Sequence, residues 1–326
     1  MNSLHLDFSP DRPWLAPLAG FSDLPFRLLC RTYGCTVACT EMISAKGLVY
    51  GGQGTADLLA TSPEDAPLVV QLFGAEPAYV GRAMEILLER GFRYFDLNCG
   101  CSVRKVTKTG SGAALLRSPA TLEEIVRTMV RLGGPDRVGV KIRLGWSGPE
   151  PIHVDLGRRL EQIGAAWVTL HPRYARQGFS GQADWARLSE LKRALSIPVI
   201  GSGDLFSARD GVDCLAETGI DTIMYARGAL NDPAVFGRHL ALQGKAAPLP
   251  DKGDTTHITT MIRTLAELCR THGNEKTSLL KMRTVVPRFV RETPGVRTLR
   301  RHLTCCRSWE QFEEIISLLE QGLPQP

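Results

Sequence analysis

Short apolar runs recur along the first three quarters of the chain, and an amphipathic segment follows most of them. The runs are rich in Val, Ile and Leu and do not alternate with polar residues, which is typical of parallel strands buried on both faces. Eight strands that alternate with helices predict an α/β fold, a (β/α)8 TIM barrel. The predicted strands are residues 14–18, 37–41, 68–73, 94–98, 138–142, 166–171, 198–201 and 222–226.

The segments between the strands carry the signals of capped helices. Several of them begin with Ser, Thr, Asp or Pro and end at Gly. These segments are residues 77–91, 121–134, 155–165 and 207–219. A doubly wound open sheet is the alternative fold, but no G-x-G-x-x-G sequence follows the first predicted strand.

The pattern changes after about residue 240. A connector rich in Pro, Gly and charge at 244–254 precedes three helical segments, 256–273, 276–291 and 307–322. They predict a small all-α domain after the barrel. The expected division is a barrel domain at 1–240 and a helical domain at 241–326.

The composition is that of a soluble globular protein, with 43% apolar and 22% charged residues. No apolar run is long enough to span a membrane, and the first residues lack the basic start and apolar core of a secretion signal. The nine cysteines lack paired C-x-x-C spacing, so we expect reduced thiols in the cytoplasm and no metal. From Lys245 onward, 13 Lys and Arg face 9 Asp and Glu, which indicates a polyanionic partner.

Candidate chemistry lies where the predicted strands end, because TIM-barrel sites are built there. The Gly-containing loops 201–204 and 226–228 follow the last two strands, where barrels commonly bind phosphate, and Arg227 adds charged donors. Gln71, Lys141 and His171 end the third, fifth and sixth strands. Together they favour flavin mononucleotide (FMN) over a metal, although tight turns, a solvated lysine and a core histidine are the structural alternatives.

The segment 94–117 joins a buried strand to a loop of unusual chemistry. Cys99 and Cys101 flank a glycine, and Arg104 and Lys105 follow closely. No structural requirement combines a thiol, a basic run and a Gly-rich turn at a strand end. The combination indicates a functional loop.

Ordered segments across nearly the whole chain resemble the dihydrouridine synthases, an FMN-dependent family that modifies tRNA. The segments are APLAGFSDLPFR, TEM, VVQLFG, FDLNCGCSVRKVTKTGSGAALL, VGVKIRLGW, HPRYARQGFSGQADW, IPVIGSGDL and DTIMYARGALNDP. The resemblance implies reduction of the uridine C5–C6 double bond to 5,6-dihydrouridine, with NADPH as the reductant of the flavin. Hydride would reach C6 of the uracil, and a proton would reach C5.

The resemblance also implies roles for individual residues. Cys101 is the general acid that protonates C5, a role that suits a thiol with an ordinary pKa of about 8.5. Cys99 matches a position that is not catalytic, and Asn98 and Arg173 match positions near the substrate. The implied FMN-binding residues are Ala16, Pro17, Leu18, Gln71, Lys141, His171, Ser202, Gly203, Asp204, Ala226, Arg227 and Gly228.

We expect the RNA phosphates to contact basic residues outside the cofactor site. In the loop after Cys101 these are Arg104 and Lys105. In the tail they are Lys281, Arg283, Arg288, Arg291, Arg297, Arg300 and Arg301, with Phe289 among them and Glu292 opposing them. A solvated helix face is the alternative. We expect no membrane and no obligate protein partner.

Three residues depart from the family pattern. Ser102 stands where Pro is usual, Ser202 where Asn is usual and Ala226 where Gly is usual. These changes bear on the position of the thiol and on cofactor affinity. Two other functions stay open: an FMN barrel oxidoreductase acting on a free small molecule, like a dihydroorotate dehydrogenase, and a catalytically weak RNA-binding homologue.

Overall fold

A computed structural model describes residues 6–291 and 296–322. Its strands are β1 (Trp14–Leu15), β2 (Val37–Cys39), β3 (Ile43–Ser44), β4 (Leu68–Phe73), β5 (Tyr94–Cys99), β6 (Val138–Arg143), β7 (Trp167–His171), β8 (Val199–Gly201) and β9 (Thr222–Tyr225). All neighbouring strands are parallel, and β1 pairs with both β2 and β9, which closes the sheet. β3 pairs with β4 beyond the point where β2 does, so it continues the second barrel strand after a break. The predicted eight-stranded TIM barrel is confirmed.

The helices begin and end close to the predicted signals. Ser207 accepts a hydrogen bond from the amide of Asp210 and caps its helix, while Gly164 and Gly219 end two helices in left-handed conformation. The helices around the barrel are α1 (Leu24–Thr32), α2 (Ala45–Val49), α3 (Gln53–Leu58), α4 (Pro77–Glu89), α5 (Arg104–Thr107), α6 (Pro119–Gly133), α7 (His153–Ile163), α8 (Ala186–Ala194), α9 (Ala208–Thr218), α10 (Arg227–Asn231) and α11 (Val235–Leu242).

The barrel interior is closed at the amino-terminal ends of the strands by three aromatic rings. The ring of Phe8 lies 5.3 Å from that of Trp14 and 5.9 Å from that of Trp167. The indole of Trp167 fits because position 139 is glycine; a Cβ there would lie 1.9 Å from the ring. Buried aliphatic side chains fill the space above. Among the described residues, polar side chains gather instead at the opposite end of the barrel.

The tail consists of four helices: α12 (Thr255–His272), α13 (Glu275–Phe289), α14 (Val296–Cys305) and α15 (Trp309–Glu320). The helix α14 was not predicted. α12 packs against α1, and α13 packs against α10, so one apolar core runs from the barrel into the tail. No helix in the described parts of the chain is long and apolar enough to cross a membrane.

Candidate active site

A cavity of about 280 Å³ opens at the carboxyl ends of the barrel strands. It brings together residues predicted separately from the ends of seven strands. The predicted residues that line it are Ala16, Pro17, Leu18, Gln71, Asn98, Cys101, Lys141, His171, Ser202, Gly203, Asp204, Ala226 and Arg227. Small-molecule sites typically occupy roughly 300–1,000 Å³, so the cavity lies near the lower limit of that range.

Other predicted residues lie away from the lining. Gly228 packs beneath it, where a Cβ would lie 2.4 Å from the carbonyl oxygen of Leu205. Arg104 and Lys105 are exposed on α5, beyond the cavity rim. The tail residues Lys281, Arg283, Arg288 and Arg291 lie on and after α13.

Arg173, predicted to lie near the substrate, is 1% exposed and organises the loops around the cavity. Its guanidinium donates to both carboxylate oxygens of Asp204, at 2.9 and 2.7 Å. Asp204 also accepts from Arg227 at 3.1 Å and from the amide of Ala183 at 2.8 Å. A charge-assisted pair of this kind fixes geometry as well as charge. Arg173 therefore joins the loops after β7, β8 and β9, and contact with the substrate stays a prediction.

His171 lies under a concentration of positive charge. Burial, together with the positive charges of the neighbouring Arg143, Lys141, Arg173 and Arg227, lowers the pKa of His171 to about 2. Its Nε2 lies 3.3 Å from a guanidinium nitrogen of Arg173, which can only donate, so this imidazole nitrogen accepts. The ring is therefore neutral, and the positive field is available to an anionic ligand.

The buried neutral His171 predicts a pH dependence of stability in flavin-free protein. Its folded-state pKa lies below the ordinary value near 6.5, so below that pH only the unfolded chain takes up the proton. The free energy of unfolding should fall with decreasing pH, by about 1–2 kcal/mol between pH 7 and 5 from this group. His171→Gln removes this contribution. Urea unfolding of both proteins at several pH values measures it; parallel curves would contradict the assignment.

Lys141 and Asp96 influence each other electrostatically near the barrel mouth. Burial lowers the pKa of Lys141 to about 8, and Asp96 opposes the fall. Burial raises the pKa of Asp96, and a hydrogen bond from Gln71 and the charge of Lys141 oppose the rise. Among the described residues, Lys141 makes no hydrogen bond. Its ammonium is therefore available to a ligand in the cavity.

The backbone of Cys101 is anchored on both sides. Its amide donates to Asn98 Oδ1 at 2.9 Å, and its carbonyl accepts from the amide of Ala113 at 2.9 Å. The second contact requires glycine at 112, which has a φ of +62° and whose Cβ would lie 2.7 Å from that carbonyl. The thiol is half-buried and lines the cavity, whereas Cys99 is fully buried. The loop is therefore held in place although residue 102 is serine.

A hydrogen-bonded relay runs beneath the Cys101 loop. Gln71 Nε2 donates to Asp96 Oδ2 at 2.7 Å, and Asn98 Nδ2 donates to Gln71 Oε1 at 2.7 Å. Asn98 Oδ1 accepts from the amides of both Gly100 and Cys101. Asn98 thus supports the loop as well as lining the cavity.

An aromatic side chain stands at the cavity mouth between two guanidinium groups. Phe179 is 63% exposed, and its ring centre lies 5.7 Å from Arg143 and 4.8 Å from Arg227. Arg143 also donates to the carbonyl of Gly100 at 2.8 Å, so it ties the mouth to the thiol loop. Exposed aromatic and basic groups together suit the bases and phosphates of a nucleic acid.

The predicted basic residues of the tail differ in whether their side chains already contact other parts of the protein. Lys281 pairs with Asp23, and Arg283 donates to the carbonyl of Cys306. The guanidinium of Arg288 lies 4.8 Å from the ring of Phe21. Of the predicted tail arginines, those with exposed side chains are Arg291, Arg297, Arg300 and Arg301. Phe289 is buried, and Glu292 lies outside the described residues.

The donor set fits a phosphate-bearing flavin. Lys141, Arg143 and Arg227 line the cavity, and Gln71 retains amide capacity beyond its two hydrogen bonds. Gly203 lets the loop after β8 pack against His171, since a Cβ there would lie 2.7 Å from the imidazole. Among the described residues no cluster of His, Cys, Asp and Glu could hold a metal. Fold and site together define a TIM-barrel protein whose cavity is lined by basic side chains and a thiol.

The chain belongs to the dihydrouridine synthase family, whose sequence model matches residues 14–321. It is 34% identical to the probable tRNA-dihydrouridine synthase 1 of Synechocystis sp., over 92% of this chain and 84% of the relative. It is 32% identical to tRNA-dihydrouridine synthase B of Pseudomonas aeruginosa, over 89% of this chain and 87% of the relative. The predicted resemblance is confirmed.

A solved structure agrees with the fold. The old yellow enzyme homologue of Zymomonas mobilis matches with a TM-score of 0.51 at 13% identity, over 75% of this chain and 91% of that chain. At this identity the likeness concerns the barrel alone.

Three residues of the site received no role from the sequence. Asp96 lies two residues before Asn98, so strand alternation places both on the same face and could have identified it. Arg143 ends β6, yet its contacts with Gly100 and Phe179 cross between loops and leave no sequence signal. Phe179 lies in an irregular loop, where periodicity gives no information about exposure.

Proposed function

We propose that this protein reduces uridine in tRNA to 5,6-dihydrouridine with bound FMN. The observation that carries the proposal is the Cys101 thiol, which lines the same cavity as Lys141 and Arg227. Membership of the dihydrouridine synthase family and the names of its relatives support the same reaction. A tRNA substrate supports a cytoplasmic location.

FMN supplies the hydride-transfer chemistry when bound, and NADPH is the proposed reductant. In this proposal Gln71 and Lys141 hold the ring edge, and residues 16–18 pack against the ring. Residues 202–204 and 226–228, with Arg227 as the charged donor, hold the phosphate. The positive field around His171 favours such an anion and supports this orientation.

Cys101 is the proposed general acid. Saturation of the uracil C5–C6 bond adds a hydride at C6 and a proton at C5, and a positioned side chain must supply the proton. The two backbone anchors of Cys101 hold its thiol at the cavity. Asn98, on the same lining, is proposed to position the uracil while it supports the loop.

A uridine in folded RNA must leave its base stack to enter a cavity, at a cost of a few kcal/mol. We propose that Phe179 stacks with RNA at the mouth and that Arg104, Lys105 and the exposed tail arginines contact phosphates. The division into a barrel at 1–240 and an RNA-binding helical domain at 241–326 is part of the same proposal. The charge excess of the tail supports it.

The test combines an absorbance spectrum with analysis of RNA. Purified protein should show flavin absorption bands at about 370 and 450 nm. With NADPH it should convert uridine to dihydrouridine in unmodified tRNA, as measured by mass spectrometry of nuclease digests. Turnover of free dihydroorotate but not of tRNA would instead identify a small-molecule oxidoreductase. Flavin and tRNA binding without any dihydrouridine would identify a catalytically weak homologue.

A further inference from the structure

We propose that Asp96 is a positioning residue, which orients the Cys101 loop through the side-chain amides of Gln71 and Asn98. The proposal rests on the proposed function, because it assigns Asp96 to the reduction of uridine. Asp96 does not line the cavity, so it acts through the residues that do.

The relay is short and buried throughout. Asp96 is 2% exposed, Gln71 is fully buried and Asn98 is 7% exposed. The two side-chain hydrogen bonds between them are both 2.7 Å long. Water therefore has little access to replace either link, and leaving a buried amide without its partner is unfavourable.

Each hydrogen bond of the relay has a defined donor and acceptor. Asp96 Oδ2 accepts from Nε2 of Gln71, which fixes the orientation of the Gln71 amide. Gln71 Oε1 then faces Asn98, whose Nδ2 donates to it. Asn98 is left with Oδ1 facing the loop, where the amides of Gly100 and Cys101 can only donate. Both ends of the relay thus require the same amide orientations, and reversal of either amide would set donors against donors.

The strand register explains why a carboxylate is tolerated at this depth. Gln71, Asp96 and Gly139 occupy one level across β4, β5 and β6, and Trp167 continues it on β7. The missing side chain at Gly139 admits the indole of Trp167, whose interaction with Asp96 favours the ionised carboxyl. The charge of Lys141 acts in the same direction. Burial is the larger influence and raises the pKa of Asp96 to about 7, and these contacts offset part of that rise.

The relay joins the two halves of the proposed chemistry. Gln71 is proposed to hold the flavin ring edge, and Cys101 is proposed to deliver the proton. One carboxylate below both of them keeps the amide that meets the ring and the loop that carries the thiol in a fixed relation. A purely structural aspartate would have no reason to affect one half-reaction more than the other.

Asp96→Leu tests the proposal, because leucine fills similar space without an acceptor. Rapid mixing should show oxidation of the reduced enzyme by tRNA slowed about tenfold, because this half-reaction uses both Gln71 and the Cys101 thiol. Reduction by NADPH, which does not use the thiol, should change by a smaller factor. A second readout needs no flavin: the alkylation rate of Cys101 by iodoacetamide, in a Cys305→Ser background. Both Asp96→Leu and Gln71→Leu should change that rate several-fold, because each frees the loop.

Thr169→Val is the matched control. Thr169 is buried on the same face of β7 as Trp167, and its hydroxyl has no hydrogen-bond partner among the described residues. In Thr169→Val, the alkylation rate of Cys101 and the rates of both half-reactions should match those of the parent protein. The proposal is overturned if Asp96→Leu and Gln71→Leu alkylate like the parent, or if Thr169→Val changes as much as they do. If the parent makes no dihydrouridine, the proposed function fails while alkylation still decides the relay.

Discussion

Cys101→Ala is expected to lower the rate of dihydrouridine formation at least about 100-fold, since positioned proton transfer typically contributes about 10²–10⁴-fold. The substitution removes the thiol without releasing the loop. Both anchors of residue 101, to Asn98 and Ala113, are backbone atoms that alanine keeps. The flavin content, the affinity for tRNA and the rate of flavin reduction by NADPH should therefore stay close to those of the parent.

Cys99→Ala provides the matched control. Cys99 lies two residues earlier, is fully buried at the end of β5, and burial raises its pKa well above the ordinary value. Its loss should leave turnover within a few-fold of the parent. Mass spectrometry of tRNA incubated with each protein measures the product. Undiminished turnover by Cys101→Ala, or equal losses in both variants, would reject Cys101 as the proton donor.

The double substitution Arg291→Ala/Arg300→Ala is expected to weaken tRNA binding roughly 10- to 100-fold at moderate salt, if each arginine contributes one phosphate contact. Both arginines are exposed and line a groove between α13 and α14. Neither has a partner within the described residues, unlike Lys281 and Arg283, whose loss would also remove contacts of the fold. The effect should therefore fall on binding and spare stability.

Titration of labelled tRNA at several salt concentrations measures this effect. The slope of log affinity against log salt should become shallower by about one to two. Arg82→Ala/Arg209→Ala removes equal charge from exposed positions on α4 and α9 and serves as the control. Equal weakening in both double variants would mean that net charge, and not the groove, attracts the RNA.

Much of the fold could be predicted because burial leaves a local record. The strands of a parallel barrel are buried on both faces, so each appears as an apolar run, and six-residue β4 has the predicted bounds. The missed strand β3 has two residues, too few for any periodicity. The missed helix α14 is rich in arginine, so its buried Leu299 and Leu303 were not recognised as an apolar face.

The residues of the site were less predictable than its place. A position at a strand end indicated that Gln71, Lys141 and Arg227 meet, because all barrel strands point the same way. The partner of each residue depends on register and on loop paths that the sequence does not record. Arg173 and Asp204 are 31 residues apart in sequence and form a bidentate pair. The burial of Phe289 likewise depends on how α13 packs.

The aromatic cluster of Phe8, Trp14 and Trp167 has a kinetic consequence. Because these rings seal one end of the barrel, the cavity is reached, within the described parts of the chain, from the strand carboxyl ends. Under the proposed function, a nicotinamide and a uracil both need that opening, so we expect them to use it in turn. The oxidised dinucleotide would then leave before the RNA enters, and the enzyme would hold the reducing equivalents in the interval. Such alternation is a ping-pong cycle, in which the two substrates never meet.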